Sequence, residues 1–221
     1  MSLFITFEGV EGSGKTTQIQ RLKRYLKKRG TPCKVTREPG GCPIGDKVRK
    51  ILLNPEHRAM TPLSELLLYE ASRIQHVKEV IEPLLKKGVV VLCDRFSDAT
   101  VAYQGYGRGI DLRVVESLNR LTSQGIKPDI TFLLDCPSHL GLKRALQRNR
   151  TLNKEREGRF EKEKIQFHHR VRRGYLSIAK KEPDRVKVID TREGEDKVFE
   201  KILKIVDELI KGSEFRVRSS E

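Results

Sequence analysis

The chain has 221 residues, 37% hydrophobic and 34% charged, with a formal net charge of +15. Its apolar residues fall in well-spaced runs, which excludes a disordered chain and predicts one sizeable core over residues 1–211. No run approaches the roughly 20 apolar residues of a membrane-spanning helix, and the opening MSLFITFEGV lacks the basic start of a secretory leader, so the expected location is cytoplasmic with no membrane partner.

In chain order, residues 3–7 (LFITF) are strand formers that run into a glycine-rich loop. Residues 16–29 carry helical periodicity, with Ile19, Leu22 and Leu26 on one face and Gly30 and Pro32 as the stop. CKVTR (33–37) is a second strand, EPGG a turn, and 44–53 a helix ended by Asn54 and Pro55. Residues 63–87 read as helix with a break at Pro83, and VVVLC (89–93) as a strand covered on both faces. ITFLLDC (130–136) is a further strand, 140–150 a basic helix, 160–180 a second basic helix, VKVID (186–190) the fifth strand, and 197–210 a closing amphipathic helix. Strands alternating with helices predict a three-layer α/β/α sandwich around a five-stranded parallel sheet. The tail, residues 212–221, lacks periodicity and is set apart as a candidate vector-derived scar.

Cys33, Cys42, Cys93 and Cys136 include no close pair, so reduced structural thiols are expected, with Cys42 exposed behind two glycines. His168 and His169 are adjacent, point about 100° apart on a helix, and are expected at the surface. The positive charge is uneven: residues 142–181 hold fourteen Lys and Arg against four Glu. A solvated basic face, a polyanion-binding patch and a phosphate-handling segment all fit that stretch.

Gly9, Gly14, Lys15 and Thr16 satisfy G-x-x-x-x-G-K-[ST], with a strand before and an amphipathic helix after. In such a loop, glycines let backbone N–H groups turn inward, and the helix N-terminus adds partial positive charge. Gly9, Gly12, Ser13, Gly14, Lys15, Thr16 and Thr17 are the expected cradle of a nucleotide's phosphates, with Lys15 on the β- and γ-phosphates and the Thr16 hydroxyl on Mg²⁺, and the loop alone leaves ATPase, GTPase, motor and kinase open. No N-K-x-D motif points to a guanine-nucleotide switch. Asp94 and Arg95 follow VVVLC at a strand's carboxyl end, where ligands gather in open parallel sheets. There Asp94 can help hold Mg²⁺ and Arg95 can clamp a phosphate. Arg37, Arg49 and Arg73 are each compatible with a solvated face, yet together they could hold phosphate groups from two nucleotides. Glu11 conflicts with this picture. It sets a carboxylate in an anion-binding loop, where like charges ~4 Å apart cost about 1 kcal/mol in water and about 4 at an effective dielectric near 20.

The ordered set FEGVEGSGKTT, TREPGG, YEASRIQHV, DRFSDATVAYQGYGRGID, KPDITFLLD, GLKRA and GRFEKE resembles the bacterial thymidylate kinases, ATP-dependent dTMP kinases among the P-loop nucleoside monophosphate kinases. The likeness runs from about residue 3 to about residue 210. It implies that Tyr69 stacks on thymine and that Arg73, four residues on, donates to a thymine carbonyl; a tyrosine where relatives more often have phenylalanine is a departure, and Tyr69 also fits a plain core aromatic. Thr100 would touch the thymine edge, Tyr103 would pack under the deoxyribose and disfavour a 2′-hydroxyl, and Gln104 would lie near base or sugar. Arg95 would hold the acceptor phosphate, with Arg37 and Arg49 nearby and Pro39 shaping the turn through an unusual peptide bond.

The resemblance also implies a mobile lid at about 149–160, in which Arg159 reaches the transferring phosphate, Arg144 flanks adenine, and Glu161 supports acceptor or metal geometry. Glu11 would turn toward dTMP, and Gly12 stands where some relatives carry a basic residue. The implied partners are ATP and dTMP, with Mg²⁺ and a homodimer, and no nucleic acid. Two alternatives stay open: a uridylate-type or broader monophosphate kinase, and a basic P-loop module that binds nucleic acid and uses ATP as a switch.

Overall fold

The computed structural model describes residues 2–151 and 158–218. Its parallel sheet contains β1 (Phe4–Glu8), β2 (Cys33–Arg37), β3 (Val90–Asp94), β4 (Ile130–Asp135) and β5 (Val186–Asp190), in the order β2-β3-β1-β4-β5. The helices are α1 (Lys15–Lys28), α2 (Pro43–Leu53), α3 (Pro62–His76), α4 (Glu82–Lys86), α5 (Ser97–Thr100), α6 (Leu112–Ser123), α7 (Ser138–Thr151), α8 (Ile165–Lys181) and α9 (Glu195–Arg218). Each strand ends on a charged residue: Glu8, Arg37, Asp94, Asp135 or Asp190. The carboxyl edge of an otherwise apolar sheet therefore carries the polar chemistry.

Period-two alternation divides β1 between the layers. Ile5 and Phe7 pack with Leu92, Phe132 and Leu134 under Ile19, Leu22 and Leu26 of α1 and Val198, Ile202 and Val206 of α9. Phe4 faces the opposite layer, where Val77 and Ile81 cover Val91 and Cys93, and Phe167, Val171, Tyr175 and Ile178 of α8 cover Leu133 and Val186. Thr6 is fully buried, and its hydroxyl meets that of Thr131 at 2.7 Å.

The five strands match the expected ones to within a residue. The helices differ more. The long helix passes through a π-helical stretch, Val77–Ile81, just ahead of Pro83, which has no N–H for the ladder. α6 was not foreseen; Asp111 caps it by accepting from Arg113 N at 2.9 Å. A second π-helical stretch, Val101–Gly107, follows α5. The last helix continues through residues 212–218, the part of the tail set apart as aperiodic. Cys42 and His168 are buried, against expectation, Cys42 where α2 begins and His168 where α8 packs against the glycine loop.

Candidate active site

The turn from β1 into α1 closes on itself before any ligand is considered. Lys15 Nζ donates to the carbonyls of Gly9 at 3.1 Å and Val10 at 3.0 Å. Burial, then repulsion from Arg95, pushes its pKa down to about 8 against the attraction of Asp94, Glu11 and Glu8. Gly12 has φ +69°, and a Cβ there would stand 2.1 Å from the Gly141 carbonyl oxygen. That oxygen belongs to α7, so the helix lies on the loop and no side chain fits at position 12. The near-contact is reciprocal, since a Cβ on Gly141 would stand 2.4 Å from Glu11 O.

Glu11 points away from the phosphate cradle. Its Oε1 accepts from Arg95 Nη2 at 3.1 Å and from the Tyr103 hydroxyl, and its Oε2 faces His168 Nδ1 at 3.4 Å. Burial pushes the Glu11 carboxyl up, but His168, Arg95 and Tyr103 outweigh it and hold the group well below the usual carboxylate range. The acid is thus a fixed anion that organises cations and hydroxyls on the acceptor side.

Arg95 has φ +70°, the left-handed region that few non-glycine residues adopt. Its Nη1 donates to the Tyr175 hydroxyl at 2.9 Å, and its guanidinium lies 4.8 Å from the Tyr103 ring centroid. Beside it, Thr16 Oγ1 donates to Asp94 Oδ2 at 3.3 Å. A hydroxyl and a carboxylate at this spot are hard oxygen donors that suit Mg²⁺. Among the described residues, no cluster of three or more His, Cys, Asp or Glu could hold a metal alone. The pair therefore fits an ion completed by phosphates and water.

One cleft of about 1090 Å³ joins these groups. Its walls include the loop from Glu11 to Thr17, Asp94 and Arg95, the acceptor-side residues Arg37, Arg49, Tyr69, Thr100, Tyr103 and Gln104, and Arg144 on α7. Glu38–Pro39 is a cis peptide, in keeping with the unusual bond expected there. Arg49 Nη1 donates to Pro39 O at 3.2 Å, and Arg37 Nη2 to Asp46 Oδ1 at 3.1 Å.

Gly9, Arg73 and Arg159 do not line the cleft. Arg73 lies behind its wall, 1% exposed, with all five N–H groups engaged: Nε on Glu38, Nη1 on Glu70 and Asn119, Nη2 on Phe96 O and on Thr100 Oγ1 at 2.7 Å. It holds Thr100, which does reach the cleft. Arg159 is also buried. Its Nε donates to Leu52 O and its Nη2 lies 2.7 Å from Glu65 Oε2. The same carboxylate accepts from Arg108 at 3.0 Å and from Gln104 Nε2 at 2.8 Å. Arg159, at the end of the expected lid, is thereby tied to α2 and α3. The expected lid, about 149–160, lies in part outside the described residues.

Glu65, Arg108, Glu38 and His168 were missed from the sequence as site-supporting residues. Glu65 and His168 lie outside the family-like segments, Glu38 and Arg108 lie within them without a role being read, and each matters through partners far along the chain. Arg148, Asn149, Phe160 and Glu161 also line the cleft; Asn149 Nδ2 donates to Glu161 Oε1 at 3.2 Å. Burial and then the Glu11 charge push the Glu161 carboxyl up.

A phosphate loop sharing one cleft with Tyr69, Thr100, Tyr103, Gln104 and Arg95 defines a P-loop phosphotransferase. The thymidylate kinase family model matches residues 7–202. Thymidylate kinase of Geotalea uraniireducens is 56% identical over 194 residues, covering 88% of this chain and 91% of that protein. That of Syntrophotalea carbinolica is 53% identical over 202 residues, covering 91% and 94%. A crystal structure of thymidylate kinase from Ehrlichia chaffeensis superposes with a TM-score of 0.73 at 37% identity, covering 93% of this chain and 98% of that one. The chain belongs to the thymidylate kinase family.

Proposed function

We infer that the chain transfers the γ-phosphoryl group of ATP to the phosphate of dTMP, releasing ADP and dTDP. The observation that carries this reading is the cleft of about 1090 Å³, with the phosphate loop, Arg95, Tyr69, Thr100, Tyr103 and Gln104 all on its walls. Such transfer is catalysed by positioning and charge stabilisation rather than by a covalent intermediate. Gly9, Gly12, Ser13, Gly14, Thr16 and Thr17 shape the ATP cradle, Lys15 serves the β- and γ-phosphates, and Arg144 borders adenine. Thr16 and Asp94 would hold Mg²⁺, which when bound would supply positive charge to offset that of the phosphates. Arg95, with Arg37 and Arg49, takes the acceptor phosphate. Tyr69, Thr100, Tyr103 and Gln104 take thymine and sugar.

For two arginines the placement favours roles behind the cleft. Arg73 fixes Thr100, so its share in thymine recognition runs through that hydroxyl. Arg159 is held behind the cleft by Leu52 and Glu65, and a cation on the transferring phosphate would then come from Arg148, which does line the cleft.

A homodimer is supported by exposed apolar side chains on the three packed helices α2, α3 and α6. Ile44, Ile51, Leu63, Leu67, Val114 and Leu121 are all exposed, and α3 packs against both other helices.

A coupled ADP-release assay over a panel of nucleoside monophosphates tests the function. dTMP is expected to have the highest kcat/KM, with dUMP lower by roughly 10–200-fold for one methyl group. A clear preference for UMP would move the chain to the uridylate type. Salt-sensitive duplex binding without monophosphate turnover would make it a nucleic-acid module.

A further inference from the structure

The acceptor arginine is held in an unfavourable backbone conformation, and one buried residue accounts for how. Among the described residues only Arg95 and Gln124 combine a side chain with positive φ. Gln124 ends a helix, where that conformation is routine. Arg95 instead sits between a strand and α5, so its surroundings must over-determine it. Its N–H donates to Phe7 O at 3.0 Å, and the next amide, Phe96 N–H, donates to Glu8 Oε1 at 2.7 Å.

The other carboxylate oxygen, Glu8 Oε2, accepts from the Tyr175 hydroxyl at 2.6 Å, and that hydroxyl accepts from Arg95 Nη1 at 2.9 Å. Glu8 therefore grips Arg95 at both ends: the following peptide directly, and the guanidinium through Tyr175. Glu8 is 0% exposed and does not line the cleft, so it touches neither nucleotide.

We propose that Glu8 and Tyr175 are positioning residues that set Arg95 for the acceptor phosphate, an inference that rests on the dTMP kinase reading above.

The proton inventory sharpens the claim. Tyr175 has one hydroxyl proton and gives it to Glu8, which frees its oxygen to accept from Arg95. Phe96 N–H occupies Oε1, so a proton added to Glu8 goes to Oε2 and opposes the Tyr175 proton. The arrangement thus requires Glu8 as a carboxylate. Lys15 on α1, Arg95 after β3, and the hydrogen bonds from Tyr175 on α8 and Phe96 favour that form. Asp98 on α5 and burial oppose it, and Cys93 on β3 faces it with a thiol that burial keeps neutral. The balance, dominated by burial, pushes the Glu8 pKa up to about 7.

The test uses the full chain as wild type, Tyr175→Phe and Glu8→Gln. KM and kcat are measured for dTMP and ATP from about pH 5.5 to about pH 8.5, with thermal melting as a check on folding. Tyr175→Phe removes the acceptor of Arg95 and is expected to raise KM for dTMP about tenfold, leaving KM for ATP within about twofold. Wild-type kcat/KM for dTMP should fall below about pH 7, in addition to the step near pH 6 from the phosphate of dTMP itself. Glu8→Gln should keep only the step near pH 6, with a raised KM for dTMP at every pH.

An unchanged KM for dTMP in Tyr175→Phe, or equal rises in both KM values together with a lower Tm, would overturn the proposal. Tyr175→Phe, which leaves the Glu8 carboxylate in place, decides the matter even if Glu8→Gln does not fold. A wild type without dTMP phosphorylation would sink the functional reading. A wild type with full activity and an indifferent Tyr175→Phe would sink only this inference.

Discussion

Replacing Glu11 with alanine removes one oxygen that gathers two donors, Arg95 Nη2 at 3.1 Å and the Tyr103 hydroxyl. A hydrogen bond to a charged group contributes about 1.5–3 kcal/mol. The Glu11 and Arg95 side chains keep 11% and 17% exposure, so water recovers part of the loss. Arg95 also retains Tyr175, so its guanidinium is loosened rather than orphaned. The net effect on acceptor binding is then about 2–3 kcal/mol, roughly 30–150-fold in kcat/KM for dTMP. ATP affinity should stay within about threefold, because Lys15 is anchored on Gly9 and Val10 carbonyls rather than on Glu11, and removing an anion near the phosphates works in its favour. Glu11→Gln keeps an acceptor oxygen and should recover a large part of the loss. Because Glu11 is ionised across the neutral range, the ratio of wild type to alanine variant should not vary with pH above about 5. The measurements are a coupled ADP-release assay with varied dTMP and calorimetric titration of a non-hydrolysable ATP analogue. Equal losses in the two would refute the reasoning and leave Glu11 as loop support.

Three further outcomes follow from the same contacts. Glu65→Ala leaves Arg108 and the buried Arg159 without their shared carboxylate, and urea titration should show a loss of about 3–5 kcal/mol; a loss below about 1 kcal/mol would mean the cluster is not what ties Arg159 to α3. Glu8 has a folded-state pKa of about 7, raised above its usual 4.5, so its stabilising contribution is complete below about pH 4.5 and lost as pH rises through about 7. The stability of Glu8→Gln relative to wild type should therefore improve by about 3 kcal/mol between those limits, and a pH-independent difference would contradict the burial of an ionised carboxylate. Leu67→Glu places a charge among the exposed apolar side chains of α2, α3 and α6; light scattering should then report a monomer, and an unchanged mass would place any dimer contact elsewhere.

The sheet was legible because each strand is a short apolar run bounded by turn residues and ends on a charge. The phosphate loop was legible because its function is local, with spacing alone putting glycines, lysine and threonine on one turn. α6 was harder to see because its buried face is largely polar, with Asn119, Thr122 and Ser123 beside Val115, while Val114 and Leu121 stay exposed. His168 was expected at the surface because adjacent helical histidines make no joint site, and its burial beside the loop residue Glu11 depends on packing between segments far apart in sequence. Arg159 and Arg73 carry motif-like spacing, yet their partners Glu65, Glu38 and Thr100 come from other elements and only the packed chain reveals them.

By itself the sequence determined the alternation of strand and helix, the phosphate cradle, and the family, because these depend on local spacing or on residue order. The direction of Glu11 was decided by tertiary structure. A loop carboxylate has no preferred partner until β3 delivers Arg95, the segment after α5 delivers Tyr103, and α8 delivers His168. The same holds for Gly12, whose lack of a side chain is explained by α7 lying against the loop at Gly141. Charge placement and close backbone approach arise between distant segments, and pattern along the chain does not encode them directly.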